Sequence, residues 1–316
     1  MCLAAAQSDF RLRALLGKMP PKTLHILSDL YHVAIPEDVT EYTLPDYLVQ
    51  ELSATQKSEI MMNYAYAGRA VCCFLGAKKK TDPLKELVSA CENFPTRPEK
   101  IERPEPDVPL FDYYDVDKEN ELIRIRFRYF HELQSIYDQE TRTIKEQFPL
   151  YHGTVVVRPG RRLVEVRASS RRIVRPMAYR TMATMKLPSI FRVDLYTEKF
   201  VPRFLEWINS LNNARIIFPE ALDLSTISLS ARRTVDLRTT QKFKELLREG
   251  YLRGAHVTIV RKEGSINFRI FFRDTRVTFT SFANERDIQF VADGLEKISE
   301  GREFRGPTSI LDKYFT

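Results

Sequence analysis

Apolar positions in the first ninety or so residues recur at helical spacing. In "KTLHILSDLYHV", Leu24, Leu27, Leu30 and Tyr31 fall on one stripe behind Thr23, a residue suited to cap a helix. "LPDYLVQELS" repeats the arrangement with Leu48, Val49 and Leu52, and "SEIMMNYAYAGRAVCCFLG" is apolar enough for the central helix of a small bundle. "DPLKELVSAC" predicts a last helix with Pro83 in its first turn. The pattern predicts a helical domain over residues 1–92.

From residue 121 the period shortens toward two. "ELIRIRFRYF" reads as a strand, and "TVVVR" and "LVEVRA" as a hairpin turning at Pro159 and Gly160. Between them "FHELQSIYDQETRTIKEQF" reads as helix, as does the stretch after Pro176. "TTQKFKELLREG" predicts a helix buried through Phe243, Leu246 and Leu247 and stopped by Gly250. "HVTIVR", "SINFRIFFR" and "RVTFTSF" follow as strands, and "NERDIQFVADGLEKI" as a helix capped by Asn284. Residues 93–120 hold five prolines and neither period, which predicts a linker. The fold class is therefore α+β: an N-terminal helical bundle (1–92), an acidic proline-rich linker (93–120), and a basic α+β domain with an antiparallel sheet (121–316). Strands meander against helices in both parts of that last domain. This plan suits a pseudo-duplication, although no residue-level repeat shows one.

Charge adds an asymmetry. Residues 92–121 carry ten acidic side chains against four basic ones, a net −6, while residues 151–180 carry eight arginines against Glu165 alone, a net +7. Such placement points to a polyanionic partner. The linker's acids can lie over the basic surface when no ligand is present.

Arginine rows give that partner a place to bind. If Ile123, Ile125, Phe127 and Tyr129 face the core, then Arg124, Arg126 and Arg128 line the open side of a sheet. The pattern recurs with Ile266, Phe268, Ile270 and Phe272 inward and Arg269, Phe271 and Arg273 outward. Arginine suits the role because its planar fork pairs phosphate at two points and stacks on rings. "RPGRRLVEVRASSRRIVR" adds Arg158, Arg161, Arg162, Arg167, Arg171, Arg172 and Arg175, with Ser169 and Ser170 beside them. "SARRTVDLRTTQKFK" adds Arg232, Arg233, Arg238, Lys242 and Lys244. The plainer alternative for every row is a solvated surface.

Catalytic signals are sparse. The chain has no GxxxxGK[ST], GxSxG or HExxH motif, and its five histidines are scattered. Glu165 in "VEVR" is the nearest thing to a metal-dependent nuclease carboxylate, with Asp138 or Glu140 as its nearest acidic candidates. Cys2, Cys72, Cys73 and Cys91 lack zinc-site spacing and suit a reducing compartment. Trp207 reads as a core anchor. No apolar run is long enough to span a bilayer.

A small helical domain followed by a basic α+β domain distantly resembles the layout of the centromere protein N family, with no motif shared and no residue carried over. The expectation is an intracellular, non-enzymatic nucleic-acid-binding protein, cytoplasmic or in a nucleoid or nucleus, with DNA slightly favoured over RNA. It expects no cofactor, metal or membrane partner. A protein-interaction adaptor or structural subunit of a larger complex, docking through the helical domain, and a nuclease carried by Glu165 stand as the alternatives.

Overall fold

The computed structural model describes residues 2–64, 71–77, 79–100, 104–138, 142–168, 170–187, 190–192, 200–218, 226–232, 235–261, 264–280 and 283–300. The chain divides into two compact units, residues 1–70 with 279–291 and residues 71–278 with 292–316.

In the first unit, helices α1 (Cys2–Leu16), α2 (Pro21–Leu30), α3 (Leu44–Glu51) and α4 (Ala54–Tyr64) close over Leu12, Leu16, Leu24, Leu27, Leu44, Leu48 and Ile60. α2 starts at Pro21, so Thr23 lies inside it and is not its cap. Proline suits a first turn because its missing N–H has no partner there anyway. Near the other end of the chain, Asn284 and Asp287 cap the next helix reciprocally: Asp287 N–H donates to Asn284 Oδ1 at 2.8 Å, and Asn284 N–H donates to Asp287 Oδ2 at 3.1 Å.

The expected central helix ends early. α4 stops at Tyr64, and Val71–Ala77 is strand β1, buried along nearly its whole length. An unbroken apolar run fits a strand buried on both faces as well as a buried helix, so periodicity could not separate them.

The second unit holds an antiparallel sheet with an element order that occurs twice. The first pass runs β1, α5 (Leu84–Ala90), β2 (Leu110–Asp117), β3 (Leu122–Phe130), β6 (Leu150–Val157), β7 (Leu163–Arg167) and α6 (Arg171–Thr184). The second runs β8 (Ile190–Arg192), α7 (Phe200–Trp207), β9 (Ser210–Ile217), β11 (Tyr251–Arg261), β12 (Gly264–Phe271), β13 (Arg276–Phe279, counted to residue 278 in this unit) and α9 (Glu285–Ser299, of which residues 292–299 belong to this unit). Strands β4 (Gln134–Asp138) and β5 (Thr143–Gln147) are inserted in the first pass; β10 (Thr226–Ser230) and α8 (Gln241–Glu249) are inserted in the second. Across the sheet the order is β10-β9-β11-β12-β13-β1-β7-β6-β3-β2, with β8 also paired to β1. The mixed α+β class is as the sequence predicts.

Two expectations are corrected here. Gln134–Asp138 and Thr143–Gln147 are paired antiparallel strands, with Tyr137 opposite Ile144, where a helix was expected; β-branched Ile136, Thr143 and Ile144 favour the extended form. The proline-rich segment is not linker throughout, because Leu110–Asp117 pairs with β3 as the sheet's edge. Proline is tolerated around an edge strand, which explains how that composition hid it.

In the first meander, Ile123, Ile125, Phe127 and Tyr129 point as expected into a core with Val155, Val157, Val164, Val166 and the α6 residues Ile173, Met177 and Ala178. Ser170 caps α6 by accepting from Arg172 N–H. In the second meander, Trp207 is a core anchor, 6.0 Å from Phe204 and 6.4 Å from Phe268 between ring centroids. Among the described residues, no helix is long and apolar enough to cross a membrane.

Candidate nucleic-acid interface

The first arginine row does not line an open face. Arg124 is 1% exposed, donating to Asp117 at 2.6 Å and to Asp115 at 3.1 Å. β2 supplies both acids in register, with Asp115 directly opposite Arg124. Burial pushes the Asp115 carboxyl up; for Asp117 the same effect is outweighed by hydrogen bonds from Asn120 and Arg124, which hold it below the usual range. Arg126 lies 5.6 Å from the Tyr113 ring centroid, and Arg128 donates to the Glu99 carbonyl at 2.9 Å beside Asp112 at 3.6 Å. Strand alternation alone places these arginines on an open sheet face, toward water or a partner. An acidic edge strand answers them instead.

The arginine-dense stretch is likewise engaged internally. Glu165, buried, accepts from Arg158 at 3.2 Å and from Arg167 at 2.5 Å, and both arginines are themselves buried. A buried carboxylate enclosed by two guanidinium groups has its charge balanced within the fold. The Glu140 considered with it lies outside the described residues, as does the side chain of Asp138. At the β6–β7 turn, Arg161 meets Asp293 at 2.9 Å and Glu296 at 3.6 Å on α9, and Arg162 lies 3.7 Å from Glu300. Burial raises both the Asp293 and Glu296 carboxyls, partly offset by these arginines.

The two oppositely charged segments do meet. Arg180 pairs with Glu99, and Arg172 pairs with Glu132 and lies 3.8 Å from Asp107. Arg171 and Arg175 remain exposed on α6, while Ser169 lies outside the described residues. The net +7 of residues 151–180 is therefore partly matched by acids within the fold.

A different face has the required properties. Ile266, Phe268 and Ile270 of β12 are buried, and the alternate residues Arg269 and Phe271 emerge opposite, as the sequence predicts. Registers then define two rows running across four strands. One places Ser230, Asn213, His256 and Arg269 side by side; the other places Ser228, Arg215, Gly254 and Phe271. None of these residues is acidic. Arg215 and Arg269 are exposed. Gly254 has no side chain, so Phe271 leans over β11, its ring 3.5 Å from where a Cβ on Gly254 would stand. The Arg276 guanidinium lies 4.3 Å from the Phe271 ring centroid. Tyr251, 57% exposed, continues the surface opposite Ile217.

Polar side chains knit this face together. Asn212 donates to Thr258 at 2.9 Å, Thr258 donates to Asn267 at 2.6 Å, and Asn213 donates to Ser230 at 2.7 Å. Burial, reinforced by the charge of Arg269, lowers the His256 imidazole below its ordinary value, so the ring is neutral near pH 7.

The remaining sequence candidates are spread out. Arg273 is exposed in the turn after β12, Arg232 is exposed after β10, and Lys242 is exposed on α8, whose Phe243 and Leu246 are buried. Arg233 lies outside the described residues. Arg238 is tied down by Asp236 and by the carbonyls of Leu205 and Ile208. Sequence reasoning missed Arg215, Asn213 and His256. In "SLNNARII" the alternation of Leu211, Asn213 and Arg215 is interrupted by a bulge, which weakens the period-two signal. No protein-family model and no curated protein sequence matches the chain. The likeness of layout to the centromere protein N family therefore carries no argument.

Proposed function

We propose that the chain is a non-enzymatic nucleic-acid-binding protein that grips the phosphate backbone through the open face of β9, β11 and β12, with DNA as the first candidate. One observation carries the reading: two register-aligned rows present Arg215, Arg269, Asn213, His256 and Phe271 without an acidic neighbour among them. Guanidinium groups neutralise phosphate, amide and hydroxyl groups donate to its oxygens, and the exposed Tyr251 ring takes a base by stacking. Arg273 extends the same strand's positive charge. The buried free thiol of Cys91 favours an intracellular, cytoplasmic or nucleoid/nuclear setting.

The test is binding of the full chain to labelled duplex DNA, single-stranded DNA and RNA across a salt series. Log affinity should fall linearly with log salt, because each neutralised phosphate releases counterions. Absence of binding to all three at low salt overturns the reading.

A second reading, an adaptor docking through the helical unit, draws on Ile26 and Leu30. They are 53% and 59% exposed and one turn apart on α2. A salt-insensitive protein complex lost on Ile26→Asp would favour it.

A further inference from the structure

The sheet ends in two edge strands that are built differently. β2 carries Asp112, Asp115 and Asp117, and part of its outward backbone is answered: Glu99 N–H donates to the Phe111 carbonyl at 3.0 Å, and Phe111 N–H donates to Glu99 Oε2 at 2.7 Å. Charge and a covering segment both guard an edge against pairing with another chain. At the opposite edge, β10 reads "TISLS", with neither a charge nor a proline, and among the described residues it pairs with β9 alone.

Register shows what β10 offers. One step beyond the Ser230–Asn213 pair, Ala231 N–H donates to the Asn212 carbonyl at 2.9 Å. Bonded and non-bonded pairs alternate along an antiparallel ladder, so Leu229 and Ile227 turn their backbone groups toward β9. The N–H and C=O of Thr226, Ser228 and Ser230 therefore point away from the sheet, and no described residue answers them. Ile227 and Leu229 share the core face with Ile216 and Ala214, yet each is only half-buried.

These features fit a second copy of the same strand. An antiparallel pairing on a two-fold axis through Ser228 sets Ser228 against Ser228, Thr226 against Ser230, and Ile227 against Leu229. All three outward-facing positions then fall on bonded pairs, and each half-buried apolar side chain gains an apolar neighbour. An axis through Ile227 or Leu229 would leave part of the strand without an opposite. An unrelated extended peptide finds no charge on β10 to fix its register, whereas the copy brings a match at every position. The axis stands normal to the sheet, so the open faces of both copies lie on one side. The two Arg215 backbones are then three strand spacings apart, about 14 Å. That exceeds the Debye length of about 8 Å at physiological salt, so their repulsion is weak.

We propose that the chain forms a two-fold dimer in which β10 pairs antiparallel with β10, joining both sheets into one. The pairing stands independently of the nucleic-acid reading and is tested without nucleic acid. Where both hold, the face carrying Arg215 and Arg269 doubles across the axis.

The test is sedimentation equilibrium of the full chain over a concentration series. The mass should rise from one chain toward two. Ser228→Pro removes only an outward N–H, so it should leave the unfolding midpoint of the dilute protein in place. It should weaken dimerisation at least about tenfold, because the pairing loses one inter-strand bond from each copy. Under oxidised glutathione, Ser228→Cys should give a covalent dimer that wild type does not. Ser230→Cys, about 13 Å from its copy along the strand, should give none. A single chain at every concentration would overturn the dimer. A dimer unaffected by Ser228→Pro and not trapped by Ser228→Cys would place the contact elsewhere and overturn the edge pairing. Equal trapping of Ser228→Cys and Ser230→Cys would overturn the axis through Ser228.

Discussion

Arg124 on β3 donates its Nη2 to Asp117 Oδ2 on β2 at 2.6 Å, with the two side chains 1% and 0% exposed. Breaking such a pair from one side leaves a charge without its partner in a dry setting. Arg124→Met should therefore lower stability by about 3–5 kcal/mol, read from the urea midpoint. Arg124→Met combined with Asp115→Asn and Asp117→Asn should recover much of the loss. A midpoint unchanged in the single variant would mean that the arginine is not structural.

That pair also shows where the sequence is legible. Alternation in "ELIRIRFRYF" correctly separates Ile123, Ile125, Phe127 and Tyr129 from the arginines, because the core face of a strand is a local property. What lies opposite an arginine is a property of the neighbouring strand. Asp115 and Asp117 belong to a segment with prolines that masked strand β2, so their pairing with Arg124 could not be read. Glu99 and Arg180, or Arg161 and Asp293, lie far apart in the chain and meet only through the topology. Arg269 and Phe271 were legible because both the buried and exposed sets lie within one regular strand.

Gly294 gives a second stability prediction. On α9 it faces Trp207, and an added Cβ would stand 2.7 Å from the indole Cε2 and nearer still to Cζ2. Gly to Ala in a helix interior ordinarily gains about 1 kcal/mol. Here the clash with a packed ring should reverse the sign, and Gly294→Ala should cost about 1–3 kcal/mol. A raised urea midpoint would show that the indole yields freely.

His256 makes binding depend on pH. Burial and Arg269 place its folded-state pKa below the ordinary value of 6.5, so the free protein gains this charge only in acid. A phosphate beside Arg269 favours the imidazolium and raises the pKa in the complex. Affinity should accordingly climb as pH falls from the bound-state value to the free-state value, and level off outside that window. His256→Gln should flatten the profile. Identical profiles for the two proteins would remove His256 from the interface.

The same lowered pKa has the opposite consequence for stability. The unfolded chain binds this proton more readily than the folded one, so His256 withdraws stability as pH falls through its unfolded value toward its folded value. Urea midpoints of wild type and His256→Gln should diverge in that interval, with the variant less acid-sensitive. Parallel acid sensitivity would show that the proton is taken up equally in both states.

The most direct test compares the salt dependence of duplex DNA binding for wild type, Arg215→Ala/Arg269→Ala and Arg161→Ala/Arg162→Ala. If the open face of the second meander holds the phosphates, the first variant flattens the slope of log affinity against log salt by about 2, and the second leaves it unchanged. A slope flattened only by the loss of Arg161 and Arg162 would place the contact on the hairpin and contradict the account.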